Sequence, residues 1–467
     1  MDTITIDRVS DTKGPKYKRV SDTIREAVAN GALKTGTKLP PVRDLAYQLG
    51  ITPGTVARAY TILTNEGVLE AEVGRGTFVA AQKTRVPDDV WSRQLDLSGA
   101  VDTGTISLFS PRLPDVGQVS AIRDALKQVA QGPALGFLNY PTRAAYQPAR
   151  EAVVNWLSDL PLGPLSSDDI VLTHGGQSGL NIVFQTILKG PHPTLLVEDL
   201  TYAGFRRAAD LLRADVVGVD IDENGILPAS LDAAARRTGA QLVCVSPEVH
   251  NPTGQFMPLE RRKEIVAVAE RRGLQIVEDD CYRMGEAHAP SFRALAPDRG
   301  WHVSSISKLL TPALRVGFAI APKGQHAELR RSAEHGYFGL AYPLAELTRI
   351  LLSDPDMRRV SQQVRHRIAD YVRVAVNELG GFDLRWNAEV PFVWLRLPSG
   401  WRAAAFTRAA ETVGVQLRSA DEFALRDGRA PHAVRIAINA QVPIDRFADA
   451  MRRLHGLLDN PPEQISV

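Results

Sequence analysis

The sequence predicts an α/β chain, with an N-terminal winged helix-turn-helix in front of a larger domain built on a mainly parallel sheet. Two observations carry this. Apolar residues in the first ~80 positions recur at three- and four-residue spacing and then switch to strict alternation. From about Ser107 onward, short apolar runs ending in turn residues alternate with amphipathic stretches of helical period.

In the N-terminal part, Tyr17, Val20, Ile24 and Val28 mark one helix face, and Gly31 is its stop signal. Val42, Leu45, Ala46 and Leu49 make a short second helix closed by Gly50. Thr52 is suited to cap a third helix, with Pro53 at its first position, where the missing N–H costs nothing. Val56, Ala59, Tyr60 and Leu63 form its buried stripe and leave Thr55 and Arg58 outward. "VLEAEVGRGTFVA" then alternates around Gly74, Arg75 and Gly76, as a β-hairpin does. From Gln82 to about Ile106 no period is sustained, and the stretch reads as a linker. The predicted domains are therefore residues 1–81, the linker 82–106 and residues 107–460.

In the larger part, "DIVLTHGG", "TLLVED", "ADVVGVD", "QLVCVSP", "LQIVEDD" and "WHVSSIS" are candidate buried strands. The helix "PLERRKEIVAVAERRG" sits between two of them, with Pro258 at its start. Ligands of such sheets lie beyond the C-terminal ends of the strands, which selects particular loops. "THGGQSGL" is a glycine turn that opens a helix, so free N–H groups and a positive dipole end face outward and suit a phosphate. Other strand ends offer Tyr202, Asn251, Asp279 with Tyr282, and Ser305, Ser307 and Lys308, with Arg315 seven residues further on. Singly, each has a structural explanation: Asp279 as a cap, Tyr282 as core, Asn251 as a turn residue. Their occurrence together, in this order, points to one site.

Composition narrows the classes. The 467 residues are 44% hydrophobic and 23% charged, as in an ordinary globular protein. Residues 1–82 carry 11 Lys+Arg against 9 Asp+Glu, so they hold the whole net charge of +2. Nucleic-acid binding must then rest on pattern and not on bulk charge. Only Cys244 and Cys281 occur, which argues against a disulfide scaffold. No apolar run reaches the roughly 18 residues of a membrane span, and the first residues lack a signal peptide's apolar core. A cytoplasmic location is expected.

The segment "GPKYKRVSDTIREAVANGALKTGTKLPPVRDLAYQLGITPGTVARAYTILTNEGVLEAEVGRGTFVA" resembles the DNA-binding domain of the GntR family from end to end. The resemblance implies that Arg43, Thr52 and Thr55 at the start of the third helix, and Arg75 and Gly76 at the hairpin tip, meet double-stranded DNA. Two readings stay open for Arg58, a phosphate contact and a solvated surface arginine. The family often carries an arginine just after the capping residue, where this chain has Pro53 and Gly54.

Residues 107–460 resemble fold-type I, pyridoxal-phosphate-dependent aminotransferases. The resemblance implies pyridoxal 5'-phosphate as cofactor, with Lys308 forming the imine and Asp279 beside the pyridine nitrogen. Asn251 and Tyr282 match the donors to the ring oxygen, and Tyr202 matches the plate over the ring. The phosphate falls to Gly176, Gln177, Ser305, Ser307 and Arg315. Tyr140 matches a tyrosine that reaches the partner subunit's phosphate, and Arg435 the arginine that takes the substrate carboxylate. Relatives often have serine where Gly176 stands, and a glycine where this chain has Ala144 and Ala145.

The combination is similar to MocR-type transcriptional regulators. It implies a dimeric DNA-binding protein, with a head-to-tail arrangement as one option, whose large domain senses a small amino compound by aldimine exchange at Lys308. Two alternatives remain open on the sequence. One is a working aminotransferase with a DNA-binding appendage, and the other a regulator that senses pyridoxal phosphate itself.

Overall fold

The computed structural model describes residues 16–65, 68–72, 76–80, 104–425, 428 and 430–461. The chain divides into two compact units, residues 1–99 and 100–467. Most of the linker stretch, and Arg75, lie outside the described residues.

In the first unit, helices α1 (Lys16–Ala29), α2 (Val42–Gln48) and α3 (Pro53–Asn65) precede strands β1 (Leu69–Glu72) and β2 (Gly76–Val79). The core contains Val20, Ile24, Leu45, Val56, Ala59 and Leu63, joined by Leu69 and Val79 of the hairpin. The predicted faces of α2 and α3 are the ones that pack, and the antiparallel register pairs Leu69 with Val79 and Glu72 with Gly76. Gly31 and Gly50 take left-handed backbone just after the helices they close. Tyr60 is buried, and its hydroxyl donates to the Pro40 carbonyl at 2.8 Å, which ties α3 to the turn before α2.

The second unit opens with β3 (Ile106–Ser107), so Ile106 already belongs to a strand and not to the linker. Its main sheet has seven strands: β4 (Ile170–Thr173), β5 (Thr194–Glu198), β6 (Asp215–Val219), β7 (Leu242–Val245), β8 (Gln275–Asp279), β9 (Gly300–Ser305) and β10 (Gly317–Ile320). Their order is β4-β10-β9-β8-β7-β5-β6. Every pairing is parallel except those of β10, which runs antiparallel to β9 and to β4. This reversed strand does not stand out in the sequence pattern. Only the short stretch 306–316 links β9 to β10, too little for the crossover a parallel strand needs. Helices α4 (Gly175–Ile187), α5 (Ala203–Leu211) and α6 (Leu259–Arg272) follow three of the strands, and Gly273 closes α6 in left-handed backbone.

A smaller four-stranded antiparallel sheet holds β11 (Leu384–Arg385), β12 (Phe392–Arg396), β14 (Arg418–Ser419) and β15 (Ala433–Ala437). The short β13 (Val415–Gln416) pairs in parallel with β3, which ties the start of the domain to its last third. Helices α7 (Asp356–Leu379) and α8 (Ile444–Asp459) pack here with Val364, Ile368, Val393, Val434 and Phe447 in one apolar cluster. Among the described residues, no helix is long and apolar enough to cross a membrane.

Candidate functional site

The phosphate-suited turn forms as predicted from β4 into α4. Gly175, the first residue of α4, has φ +79, and the Arg315 guanidinium sits 2.6 Å from where its Cβ would stand. Any side chain there would expel the arginine. Arg315 is itself held in left-handed backbone at φ 50, a strained conformation for a non-glycine residue, on the link between β9 and β10. The first N–H groups of α4 lack partners within the helix, so a guanidinium and a helix N-terminus converge.

Gly176 has a different reason to lack a side chain. A Cβ there would lie 2.3 Å from the Cys281 sulfur. Cys281 fills the space that a serine would claim, so the glycine and the cysteine are complementary. The cysteine also hydrogen-bonds with Asp279 and Ser305, and burial and the nearby Asp279 push its thiol well above the ordinary range.

Gln177 is committed elsewhere through its side chain. Its Nε2 donates to the Gly204 carbonyl at 2.9 Å, and its Oε1 accepts from the Tyr202 hydroxyl at 3.0 Å. This pair fixes Tyr202, the residue before α5, which also meets Phe205 edge-on. What Gln177 offers toward a phosphate is its backbone N–H.

Asn251 is buried in the loop after β7. That loop closes on itself, with the Gly254 N–H donating to the His250 carbonyl at 2.7 Å, and the His250 ring bonds the Leu200 carbonyl at 2.9 Å. His250 Nε2 also lies 3.5 Å from Glu198. Burial lowers His250 and raises Glu198, and it is the His250 ring, bonded to Leu200 and Thr253, that clamps the loop. Neither residue was singled out in the sequence, where Glu198 ends an apolar run and His250 stands in the loop "SPEVHNPTG" beside Asn251.

Asp279 ends β8 and is only 9% exposed. Its Oδ1 accepts the Cys281 backbone N–H at 3.1 Å, and burial raises the carboxyl to about 6. A buried acid poised in this way favours a cationic N–H as neighbour. Tyr282 meets Phe392 edge-on at 5.3 Å. Burial pushes its phenol up, but Lys308, Arg435 and Arg418 pull harder, and the group lies below its ordinary value.

Ser305 and Ser307 are buried at the end of β9. Ser305 caps the single turn Ile306–Lys308, accepting from the Ser307 N–H. Lys308 ends that turn half-buried, its Nζ 5.2 Å from the Tyr282 ring centre. Among the described residues it has no ion pair or hydrogen bond, which is unusual for a lysine out of bulk water.

Arg435, on β15, is 3% exposed between Phe392 and Phe423. Its Nη1 donates to Asn251 Oδ1 at 2.6 Å and its Nη2 to the Phe109 carbonyl at 2.7 Å. Tyr140 stands apart from this cluster. It is 85% exposed, packs at a tilt against Phe338, and lines a cleft of about 410 Å³ with Arg143, Arg150 and Arg330.

In the first unit, Arg43 and Thr52 are exposed and Thr55 is half-buried, with the two threonine hydroxyls 2.9 Å apart. Arg58 is exposed, and its guanidinium lies 4.1 Å over the Tyr17 ring, so it braces α3 against α1. Gly76 begins β2 with φ 120, and Lys38 packs where its side chain would be.

Residues 111–454 match the family of aminotransferase class I and II, and residues 16–79 match the bacterial regulatory proteins of the gntR family. The chain belongs to the MocR-type regulators. The regulator is 25% identical to the uncharacterized HTH-type transcriptional regulator YdeF of Bacillus subtilis, over 96% of this chain and 95% of that one. It is 30% identical to the HTH-type pyridoxine biosynthesis transcriptional regulator PdxR of Corynebacterium glutamicum, over 66% of each chain. The 2-aminoadipate transaminase of Thermus thermophilus is 28% identical over 68% of this chain and 80% of its own. Among solved structures, LysN, the α-aminoadipate aminotransferase of Thermus thermophilus complexed with N-(5'-phosphopyridoxyl)-L-leucine, superimposes with a TM-score of 0.66 at 25% identity. That match covers 76% of this chain and 92% of LysN. The large domain thus has the fold-type I aminotransferase architecture, and the gntR-family domain binds double-stranded DNA.

Proposed function

We propose that this DNA-binding regulator holds pyridoxal 5'-phosphate in its large domain and responds there to a small amino compound. The observation that carries this is the half-buried Lys308, unpaired among the described residues, beside Tyr282 and the turn that follows the buried Ser305. The residues present suit the cofactor. Gly175 lets the Arg315 guanidinium come against the N-terminus of α4, so cationic and N–H donors converge there, and Asp279 is a buried carboxyl in need of a cation. Bound there, pyridoxal phosphate supplies an aldehyde that reacts reversibly with primary amines.

In this reading Lys308 provides the resting amine, and the effector is an amine that competes with it. Arg315, Ser305, Ser307 and the backbone at Gly176 and Gln177 would hold the phosphate. Asp279 keeps a proton on the ring nitrogen, Asn251 and Tyr282 donate to the ring oxygen, and Tyr202 stacks. Arg435 takes an acidic group of the effector. On the DNA side, Arg43, Thr52, Thr55, Gly76 and Arg75 meet the duplex. Arg58 has its role in bracing α3, with a phosphate contact as its second use. Tyr140 and Phe338, both exposed and aromatic, support a homodimer in which Tyr140 leaves its own chain for the partner's site. The protein works in the cytoplasm.

Only a ligand with different affinities for two conformations can switch the DNA-binding state. The test pairs visible absorbance with operator binding while amino compounds are added. A spectral shift accompanied by changed DNA affinity, with negligible product from a keto-acid acceptor, is the expected result. Steady product formation would favour a working aminotransferase, which the intact Asp279, Lys308 and Arg435 support. A change of DNA affinity with pyridoxal phosphate alone would favour cofactor sensing, a reading supported by the likeness to PdxR.

A further inference from the structure

Arg435 was expected from the sequence; the second arginine beside it was not. Arg418, on β14, stands directly opposite Arg435 in the antiparallel register of β14 and β15. It is 5% exposed, and its guanidinium lies 5.4 Å from the Phe109 ring centre. Its Nε donates to the Phe109 carbonyl at 3.0 Å, the same oxygen that Arg435 reaches at 2.7 Å. Its Nη1 pairs with Glu422. Two buried guanidinium groups thus converge on one neutral carbonyl, with one carboxylate between them.

This arrangement is incomplete. Arg418 Nη2 and Arg435 Nε are buried with no hydrogen-bond partner. Buried donors left unmatched are costly, and two like charges around a neutral acceptor repel each other. A carboxylate in place of that carbonyl would offer more acceptor positions and a full negative charge, which suits paired guanidinium groups.

The carbonyl belongs to a telling segment. Phe109 follows β3, the point at which the chain enters the large unit from the linker stretch. The flanking residues are sewn down by backbone bonds, from the Leu108 N–H to the Gln416 carbonyl at 2.7 Å and from the Arg112 N–H to the Ile438 carbonyl at 2.9 Å. At Phe109 itself the carbonyl goes to the two arginines.

We propose that Arg418 and Arg435 together bind the acidic group of the effector, and that the Phe109 carbonyl is an internal stand-in which this group displaces. The effector is accordingly an amino acid carrying a carboxylate, and its arrival loosens the segment that leads to the linker. Arg418 sets specificity for the anion and couples it to the start of the domain. The inference rests on the proposed function for the amine of the effector, but its anion arm can be tested without that chemistry.

The probe is propionate, which has a carboxylate and no amine, titrated by calorimetry into the full-length, pyridoxal-phosphate-loaded protein at fixed ionic strength. Wild type should bind it, and Arg418→Gln should bind about tenfold more weakly while still retaining the cofactor. Glu422→Gln frees Arg418 Nη1 and should tighten binding a few-fold, a gain that misfolding cannot mimic. In wild type, hydrogen exchange in residues 104–113 should speed up several-fold at saturation. Absent binding to wild type, equal affinity in Arg418→Gln, no tightening in a folded Glu422→Gln, or unchanged exchange would each overturn the proposal. Should propionate behave as expected while amines leave the spectrum unmoved, the anion site stands and the amine-sensing reading falls.

Discussion

The two units of this molecule present their proposed functional residues in opposite ways. Arg43, Thr52 and Arg58 of the winged helix are exposed, whereas Asn251, Asp279, Ser305 and Arg435 of the large domain are buried. Exposed charges act through water and salt, so the DNA face depends on ionic strength and little on its surroundings. Buried groups act on their neighbours' protonation and geometry, so the large-domain site depends on pH and on single packing contacts. In the proposed function, one protein thus reads two ligands through two regimes of electrostatics.

The sharpest way to break this contrast is Lys308→Ala. It should abolish the visible absorbance of the lysine–cofactor linkage completely while leaving DNA binding by the folded winged helix in place, as measured by absorbance and gel shift. Retained absorbance would remove the lysine from its assigned role.

Asp279→Asn should weaken cofactor binding by roughly ten- to hundredfold at pH 7.5, read by equilibrium titration, as expected for losing a hydrogen bond to a charged partner. The pH dependence has a definite sign. Asp279 is raised to about 6 by burial, and its ionised form is the one that favours a protonated ring nitrogen. Wild-type affinity should therefore hold above this value and fall as pH drops through about 6. The asparagine variant should lack that component.

On the exposed side, Arg43→Ala should weaken operator binding about tenfold and reduce the slope of log affinity against log salt by about 1. A loss with no change in slope would mean that Arg43 does not meet a phosphate. The last effect lies at the start of α4 and is read in stability. Gly176→Ser should cost about 1–3 kcal/mol in thermal or denaturant unfolding, because its Cβ would meet the Cys281 sulfur. Adding Cys281→Ala should recover most of that loss, and failure to recover it would refute the complementarity.

How much was legible follows the same division. The winged helix was readable almost element by element, since a small helical core imposes a 3.6-residue period that Val56, Ala59, Tyr60 and Leu63 obey. Six strands of the large sheet were readable as buried apolar runs, and their C-terminal ends marked the loops where Asn251, Asp279 and Lys308 gather. The antiparallel β10 was not, because its direction follows from the length of a connection and not from its own residues. Arg418 was hidden for a related reason. On a two-residue strand it has no periodic signature, and its significance comes from standing opposite Arg435 in the folded register. Gly176 looked like a departure from the family pattern until the distant Cys281 explained it.

The reversed strand has one last consequence. Lys308 and Arg315 both lie on the stretch 306–316, whose two ends are stitched together by the pairing of Ser305 with Gly317. Both ends of the stretch that carries the amine and the guanidinium are thus anchored in the same sheet. The opposite wall is assembled from three remote stretches of chain, where Arg435 joins the Asn251 side chain to the Phe109 carbonyl, so its geometry depends on one guanidinium holding both.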